Sequence, residues 1–311
     1  MNIPNSFVIT KNLNGELYMN NIEKQLYKYD FFNDKIFKIY SIQDYGRKSK
    51  YKIEINNKYY TLILTSSRIN PYINKFKYLG DDFKKIIGFK YLSYDNSVLL
   101  LDFFGNNKGI DLIKIDNKIK DEELDNYCEK LKSIIDNIHS NKVDYIDFSN
   151  NNYKNWKEYY IDEISQKIYS IYNQKLIDNK LYEKLINILE TSSKVYNNFQ
   201  TNFIHADITP LNVCINLEDK DIYLIDYDDF KIGDSLMDIS RIINCKNMSK
   251  IFKKLVDKYY VDYENNINHL FYTLRVNINW YNHIVNKKQE DIYDLEKAKN
   301  DIFDIIEKII N

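Results

Sequence analysis

The chain has 311 residues and a formal net charge of −1, with 44 lysines and arginines against 45 acidic residues. That balance provides no global field to recruit nucleic acid or an anionic membrane, and only four arginines (Arg47, Arg68, Arg241 and Arg275) are present to build a phosphate-backbone patch. The scattered Cys128, Cys214 and Cys245 form neither metal spacing nor a disulfide framework, which points to a reducing cytoplasm; the amino terminus lacks signal-peptide regions, and no apolar run is long enough to span a bilayer.

Strand patterns come first in the chain and helical patterns follow, which predicts an α+β fold with two lobes. Residues 1–33 read as an irregular leader with a short helix near Ile22–Tyr29. Residues 34–105 read as a small antiparallel sheet. Lys35–Ile42 and Tyr51–Ile55 alternate, and Asn56-Asn57 is a hairpin turn before Tyr59–Leu64. Ser97–Phe104 is a buried strand that ends at Gly105, a natural lobe boundary.

Residues 106–311 read as mostly helical. Asp121 is a candidate N-cap for a helix with Leu124, Cys128, Leu131, Ile135 and Ile138 on one face, closed by His139. Helices are expected near 153–172, 178–198, 248–260, 264–286 and 288–310. The last is amphipathic, with Ile292, Leu295, Ala298, Ile302, Ile306 and Ile309 spaced for a core.

The chemistry concentrates between Phe203 and Ile243. His205, Asp207 and Asn212 fall on a loop, with a carboxylate and an amide five residues apart. Val213–Ile215 is a short strand, a turn covers Glu218–Asp221, and the strand Ile222–Ile225 runs into Asp226. Magnesium takes oxygen ligands, so Asn212 and Asp226 suit it. Phosphoryl transfer asks mainly for positioning and charge neutralisation, with a carboxylate such as Asp207 to accept the proton of the attacking hydroxyl. His205 reads as a brace for the loop. Gly233, Asp234 and Asp238 follow, leading into a helix with Leu236, Ile239, Ile242 and Ile243 on its apolar face.

The runs H205-A-D207-I-T-P-L-N212, I225-D226-Y-D228 and G233-D234-S-L-M-D238-I239 resemble the aminoglycoside phosphotransferase and choline kinase superfamily, which has a protein-kinase-like fold. The weaker resemblance extends from about residue 35 to the end. It implies a bilobal enzyme with a sheet-built nucleotide lobe and a helical lobe carrying the catalytic loop and acceptor pocket. It implies Asp207 as catalytic base, Asn212 and Asp226 as magnesium ligands, and Asp238 as the tie between helix and catalytic loop. His139 then stands at a structural helix end. The backbone of Asp102, Phe103 and Phe104 would meet the adenine ring. The phosphates would lie under Gln43–Lys50, with Ser49 and Arg47 as contacts; read on its own, this segment is equally an ordinary polar hairpin turn. Ser235 stands where the family usually has proline.

One departure matters more. The family carries a lysine or arginine on the third strand, and Ile63 occupies that position here. The usual partner glutamate is missing too, since no Glu occurs between Glu54 and Glu122. Losing both together is consistent, because a buried carboxylate without its cation is unfavourable. Arg68, Lys52 and Lys58 are the nearest substitutes.

Two readings follow. The first is a magnesium-dependent enzyme that moves the γ-phosphate of ATP or GTP to a hydroxyl of an aminoglycoside-like antibiotic, amino alcohol or sugar. The second is a pseudokinase-like binding or structural protein of the spore-coat type. Either is a cytoplasmic monomer or dimer with no nucleic-acid or membrane partner. For cationic acceptors the candidate carboxylates are Asp228, Asp229, Asp262, Glu264, Glu290, Asp291 and Asp294, each of which taken alone reads first as part of a solvated helix face or loop. Trp280, Tyr281 and His283 are candidates for an aromatic wall, or Tyr281 packs with Ile278.

Overall fold

The computed structural model describes residues 24, 26–33, 35, 37–44, 48–65, 76, 81, 84, 88–95, 98–102, 110–140, 153, 155–196, 202–216, 220–227, 230–245, 248–287 and 292–311. Two compact units divide the chain, Met1–Lys108 and Gly109–Asn311. Of the expected leader helix near Ile22–Tyr29, Lys24 and Leu26 are helical, Tyr27 and Lys28 form a turn and Tyr29 a bend, with the remaining positions outside the described residues, as are Phe103 and Phe104.

The first unit is a five-stranded antiparallel sheet in the order β1-β2-β3-β5-β4, built from β1 (Phe37–Asp44), β2 (Lys48–Ile55), β3 (Lys58–Thr65), β4 (Phe89–Leu92) and β5 (Val98–Asp102). Asn56 and Asn57 join β2 to β3 at φ 50° and 61°, the left-handed pair that a two-residue hairpin matching strand twist requires. Alternation then sorts the side chains. Tyr51, Ile53, Ile55, Leu62, Val98 and Leu100 form a core with Leu26 and Phe32 of the short helical entry segment. Lys50, Lys52, Ile63 and Leu99 fall on the other face. β4 was not expected; it forms because β5, buried on both faces, has an edge to pair, and Phe31 stacks on its Tyr91 with centroids 4.8 Å apart.

The second unit begins with β6 (Ile110–Asp111) and the single turn α1 (Leu112–Ile115). The helices α2 (Asp121–Ser140), α3 (Trp156–Asn173) and α4 (Asn179–Val195) follow. Next come β7 (Asn202–Ile204), β8 (Val213–Asn216), β9 (Asp221–Leu224) and β10 (Lys231–Gly233), then α5 (Leu236–Ile243), α6 (Lys250–Tyr259), α7 (Ile267–Lys287) and α8 (Ile292–Ile310). β7 pairs with β10, and β8 sits between β6 and β9.

Local capping sets the helix starts. Asn155 accepts from Glu158 N at 3.0 Å, Asp178 from Leu181 N at 2.8 Å and Ser249 from Phe252 N at 3.2 Å. Asp121, expected as an N-cap, is instead inside the first turn of α2, where its charge suits the helix dipole. The capping contact there comes from Glu123, which accepts from Lys120 N at 3.4 Å. Cys128, Leu131, Ile135 and Ile138 are buried as the period demands, and Leu124 is half-buried. Ala298, Ile302, Ile306 and Ile309 of α8 are buried likewise. Two buried polar pairs join α3 to α7: Trp156 Nε1 donates to Tyr272 Oη at 2.8 Å, and Tyr160 Oη to Asn268 Oδ1 at 3.0 Å.

Gly233 has a packing reason for its identity. A Cβ there would lie 2.5 Å from Trp156 Cη2 and 2.7 Å from Ile204 Cδ1. The indole is rigid and fully buried, so any side chain at 233 would have to displace it. No helix among the described residues is long and apolar enough to cross a membrane.

Candidate active site

The loop between β7 and β8 is held from beneath by Asp238 of α5. Its carboxylate is fully buried and accepts from His205 N at 2.8 Å and Ala206 N at 2.7 Å, and it lies 3.0 Å from His139 Nε2 at the end of α2. One side chain thus ties two helices to the loop. Ala206 takes φ 67°, a left-handed backbone that a non-glycine residue adopts only when its surroundings impose it. That kink turns the chain between His205 and Asp207.

His205 is a brace. Asp207 N donates to its Nδ1 at 3.3 Å, so the ring proton sits on Nε2, which donates to Ile225 O at 2.9 Å. Ile225 N in turn donates to Asn212 O at 2.8 Å. Both backbone groups of Ile225 are therefore held by the loop, which places Asp226, exposed and at φ 64°, beside Asn212.

Asn212 Nδ2 donates to Asp207 O at 2.8 Å and to Asp207 Oδ2 at 2.9 Å. With its nitrogen directed at Asp207, the amide turns its oxygen the other way. The amide oxygen of Asn212 and the carboxylate of Asp226 are oxygen donors of the kind that magnesium takes. Among the described residues no group of three or more His, Cys, Asp and Glu side chains is placed to hold a metal.

Asp207 has a second partner that sequence reasoning missed. Arg241 donates from Nε at 3.1 Å and from Nη2 at 3.0 Å to Asp207 Oδ1. A signal existed: Arg241 is three residues after Asp238 on α5, so both lie on the face turned to the loop. The carboxylate is clamped on both oxygens and one-third exposed, with lone pairs left for a substrate hydroxyl.

No protein-family model and no curated protein matches the chain. Solved structures do. The gentamicin complex of APH(2")-IIa is similar over 96% of this chain and 99% of that chain, with TM-score 0.60 and 16% identity. The GDP and kanamycin complex of APH(2")-IIia is similar over 93% and 99%, with TM-score 0.61 and 15% identity. A thermostable mutant of aminoglycoside phosphotransferase APH(4)-Ia, in ternary complex with AMP-PNP and hygromycin B, is similar over 93% and 98%, with TM-score 0.59 and 13% identity. The chain has the aminoglycoside phosphotransferase fold.

Within that fold the sheet unit carries its departures. Ile63 is buried on β3, opposite Lys50 on β2 and Leu99 on β5. Directly paired residues project to one face, so Lys50 shares the face of Ile63. Sequence reasoning passed over Lys50 because cross-strand register is not visible in a list of nearby cations. Lys52 sits over the Tyr59 ring at 3.7 Å, Lys58 lies at the hairpin end paired with Ile55, and Arg68 lies outside the described residues. The expected phosphate loop is shorter than Gln43–Lys50. Strand pairing continues through Asp44 and resumes at Lys48, and Ser49 is itself a strand residue opposite Asp44 and Leu64. By alternation Ser49 falls on the face of Tyr51, away from Ile63. Asp102 donates its N–H to Gly88 O at 2.7 Å and its carboxylate lies 3.0 Å from Lys90 Nζ.

Beside Asp207 a cavity of about 390 Å³ opens, lined by Asp207, Lys231, Arg241, Arg275, Trp280 and His283 among others. Trp280 and His283 stack at 5.6 Å and 20°, whereas Tyr281 is buried elsewhere in the helix packing. Of the carboxylates considered for cationic acceptors, Asp228, Asp229, Glu290 and Asp291 lie outside the described residues, and Asp262 is exposed and does not line the cavity.

Behind the loop two buried groups titrate in opposition. Burial raises the Asp234 carboxyl to about 6, against hydrogen bonds from Leu236 N, Tyr196 and Tyr272 and the nearby His139. Burial, with Lys308 adding to it, lowers the His269 imidazole to about 4. Asp234 holds a proton in the folded state that the unfolded chain has released, so its contribution falls as pH rises from about 4 to about 6. His269 refuses a proton that the unfolded chain accepts, so its contribution falls as pH drops from about 6.5 to about 4. Each is on the order of 3 kcal/mol, and the two nearly cancel across that window. Asp234→Asn removes the contribution of Asp234 to the pH dependence and leaves that of His269, so it is expected to lose stability more steeply than the parent on acidification below about pH 6.5. Urea midpoints at pH 5 and pH 8 read the slope. A variant whose midpoint changes with pH no more than the parent's would show that Asp234 holds no extra proton in the folded state.

Proposed function

We propose that the protein transfers the γ-phosphoryl group of a magnesium-bound nucleoside triphosphate, ATP or GTP, to a hydroxyl of a small molecule such as an aminoglycoside-like antibiotic, an amino alcohol or a sugar. The observation that carries this reading is the hydrogen-bonded unit of Asp207, Asn212 and Ile225, in which Asn212 Nδ2 donates to the Asp207 carboxylate and Asn212 O accepts from Ile225 N, one residue before Asp226. The acceptor oxygen attacks the terminal phosphorus, and the bond from phosphorus to the β–γ bridging oxygen breaks. Nucleoside diphosphate leaves, and the hydroxyl proton passes to Asp207. Asn212 and Asp226 would hold magnesium, which would supply charge neutralisation on the phosphates. Asp207, clamped by Arg241 and Asn212, orients the hydroxyl, which is the larger part of the task when bonding to the attacking oxygen develops late. Solved complexes of the same fold with GDP and with AMP-PNP support the nucleotide part of the reading.

Lys50 is proposed as the cation that replaces the strand lysine, and Asp102 to Phe104 as the segment meeting the base. A thermal-shift titration with ATP and GTP, each with and without magnesium, tests the whole, because a ligand of the folded state raises the melting temperature as its concentration grows. The magnesium-dependent shift is expected to disappear in Asp226→Asn and to require at least about tenfold more nucleotide in Lys50→Ala, with Lys58→Ala unchanged. An equal response of Lys50→Ala and Lys58→Ala would remove Lys50 from the site. The buried Ile63 favours a second reading, a nucleotide-independent binding or structural protein of the spore-coat type. Absence of any shift at millimolar nucleotide would select it.

A further inference from the structure

The Asp207 carboxylate can accept about four hydrogen bonds, two on each oxygen. Protein donors use that capacity unequally. Arg241 donates to Oδ1 twice, from Nε at 3.1 Å and from Nη2 at 3.0 Å, so that oxygen is filled. Oδ2 receives one bond, from Asn212 Nδ2 at 2.9 Å. The same nitrogen donates its other hydrogen to Asp207 O at 2.8 Å, which fixes Oδ2 relative to its own backbone. The capacity left for a hydroxyl therefore lies on Oδ2, the oxygen on the Asn212 side.

The arginine fork is held from behind. Arg241 follows Asp238 by three residues on α5, and Asp238 accepts from His205 N and Ala206 N. One helical face thus grips the loop backbone just before Asp207 and the side chain of Asp207 itself. Helix α5 is fastened in turn to α7. Ser240 Oγ lies 2.7 Å from His269 Nδ1, and Asn244 Nδ2, at the C-cap, donates to Thr273 Oγ1 at 2.7 Å. Both members of the Arg241–Asp207 pair are about one-third exposed, so the pair adds little to stability. What it adds is geometry: two donors in a rigid fork on one oxygen, which the point charge of a lysine does not reproduce.

We infer that Arg241 is a positioning residue for phosphoryl transfer: by filling Oδ1 it leaves Oδ2 to receive the attacking hydroxyl and its proton. This rests on the phosphotransfer reading. Asn212 is also a proposed magnesium ligand, so Oδ2 is the oxygen that neighbours the proposed phosphate site. Without Arg241 the other oxygen opens, the carboxylate can turn about its Cβ–Cγ bond, and part of the bound hydroxyl population is aimed unproductively.

Arg241 also lines the cavity beside Asp207, and water as the acceptor separates positioning from acceptor binding, because water needs no pocket. In hydrolysis of magnesium-ATP or magnesium-GTP the water oxygen bonds to the γ-phosphorus and its proton passes to Asp207 Oδ2. The bond from phosphorus to the bridging oxygen breaks, and nucleoside diphosphate leaves. Arg241→Ala in the full chain is expected to lower kcat for hydrolysis by about 10–10²-fold, with the nucleotide KM within about twofold. Free guanidinium at sub-denaturing concentration should recover at least about threefold of that loss, and sodium at equal ionic strength should not. Arg241→Lys, which keeps the charge without the fork, should lie between parent and Arg241→Ala. Lys254→Ala, which removes an ion pair with Asp125 elsewhere on the surface, should leave hydrolysis unchanged. Hydrolysis by Arg241→Ala within about threefold of the parent would overturn the inference and leave phosphotransfer standing. A loss that guanidinium recovers no better than sodium would assign Arg241 to the fold and overturn it as well. A raised nucleotide KM at unchanged kcat would make Arg241 a nucleotide contact instead. A parent that releases phosphate from neither nucleotide would refute phosphotransfer, and the positioning role with it.

Discussion

Asp207→Asn is expected to lower the rate of phosphoryl transfer by about 10²–10⁴-fold while nucleotide binding is retained. The amide keeps the shape of the carboxylate and can still contact Asn212 or Arg241, but it cannot take the proton of the attacking hydroxyl. Arg241 is about one-third exposed, so loss of its counter-charge leaves it partly solvated and the fold is expected to lose under about 1 kcal/mol. Initial-rate assays with a competent acceptor, together with the magnesium-dependent thermal shift, separate the two effects. Turnover within tenfold of the parent, with the shift intact, would remove Asp207 from the chemistry. Loss of the shift itself would instead mean that Asp207 belongs to the metal site.

The largest stability effect should come from Asp238→Ala. Three donors converge on this fully buried carboxylate, His205 N, Ala206 N and the ring nitrogen of His139, at 2.7 to 3.0 Å. Alanine leaves two backbone N–H groups and a ring N–H in the interior without an acceptor, each unfavourable by about 1–3 kcal/mol. The expected total is about 3–5 kcal/mol, visible as a large drop in the urea midpoint. The loss reaches function as well. The left-handed backbone of Ala206 persists because its N–H is anchored, and its release would let Asp207 swing away from Asn212. Activity measured under conditions where the variant is folded should therefore fall with stability. Asp238→Asn, which retains one oxygen acceptor, should lie between the two. A variant within 1 kcal/mol of the parent would show that water replaces the carboxylate.

The spacing of His205, Asp207, Asn212 and Asp226 was legible in the sequence because it is local: one loop and one strand end, with polar residues punctuating buried runs. The faces of α2 and α8 were legible for the same reason, since a helical period places Leu131, Ile135 and Ile138, or Ile302, Ile306 and Ile309, on one side wherever the helix packs. Asn56-Asn57 announced its hairpin because only a left-handed pair fits a two-residue turn.

Tertiary structure alone decided the rest, and the reason is separation along the chain. Lys50 lies opposite Ile63 only once β2 and β3 adopt one register, and a slip of one residue would turn it to the other face and bring Ser49 in its place. Glu163 meets Arg275 across 112 residues, a contact set by how α3 packs against α7. The sequence named candidate carboxylates for a cationic acceptor without ranking one acceptor class above another. Which side chains line the cavity beside Asp207, Arg241, Arg275 and Trp280 among them, is decided by packing between distant elements, and composition carries no record of that.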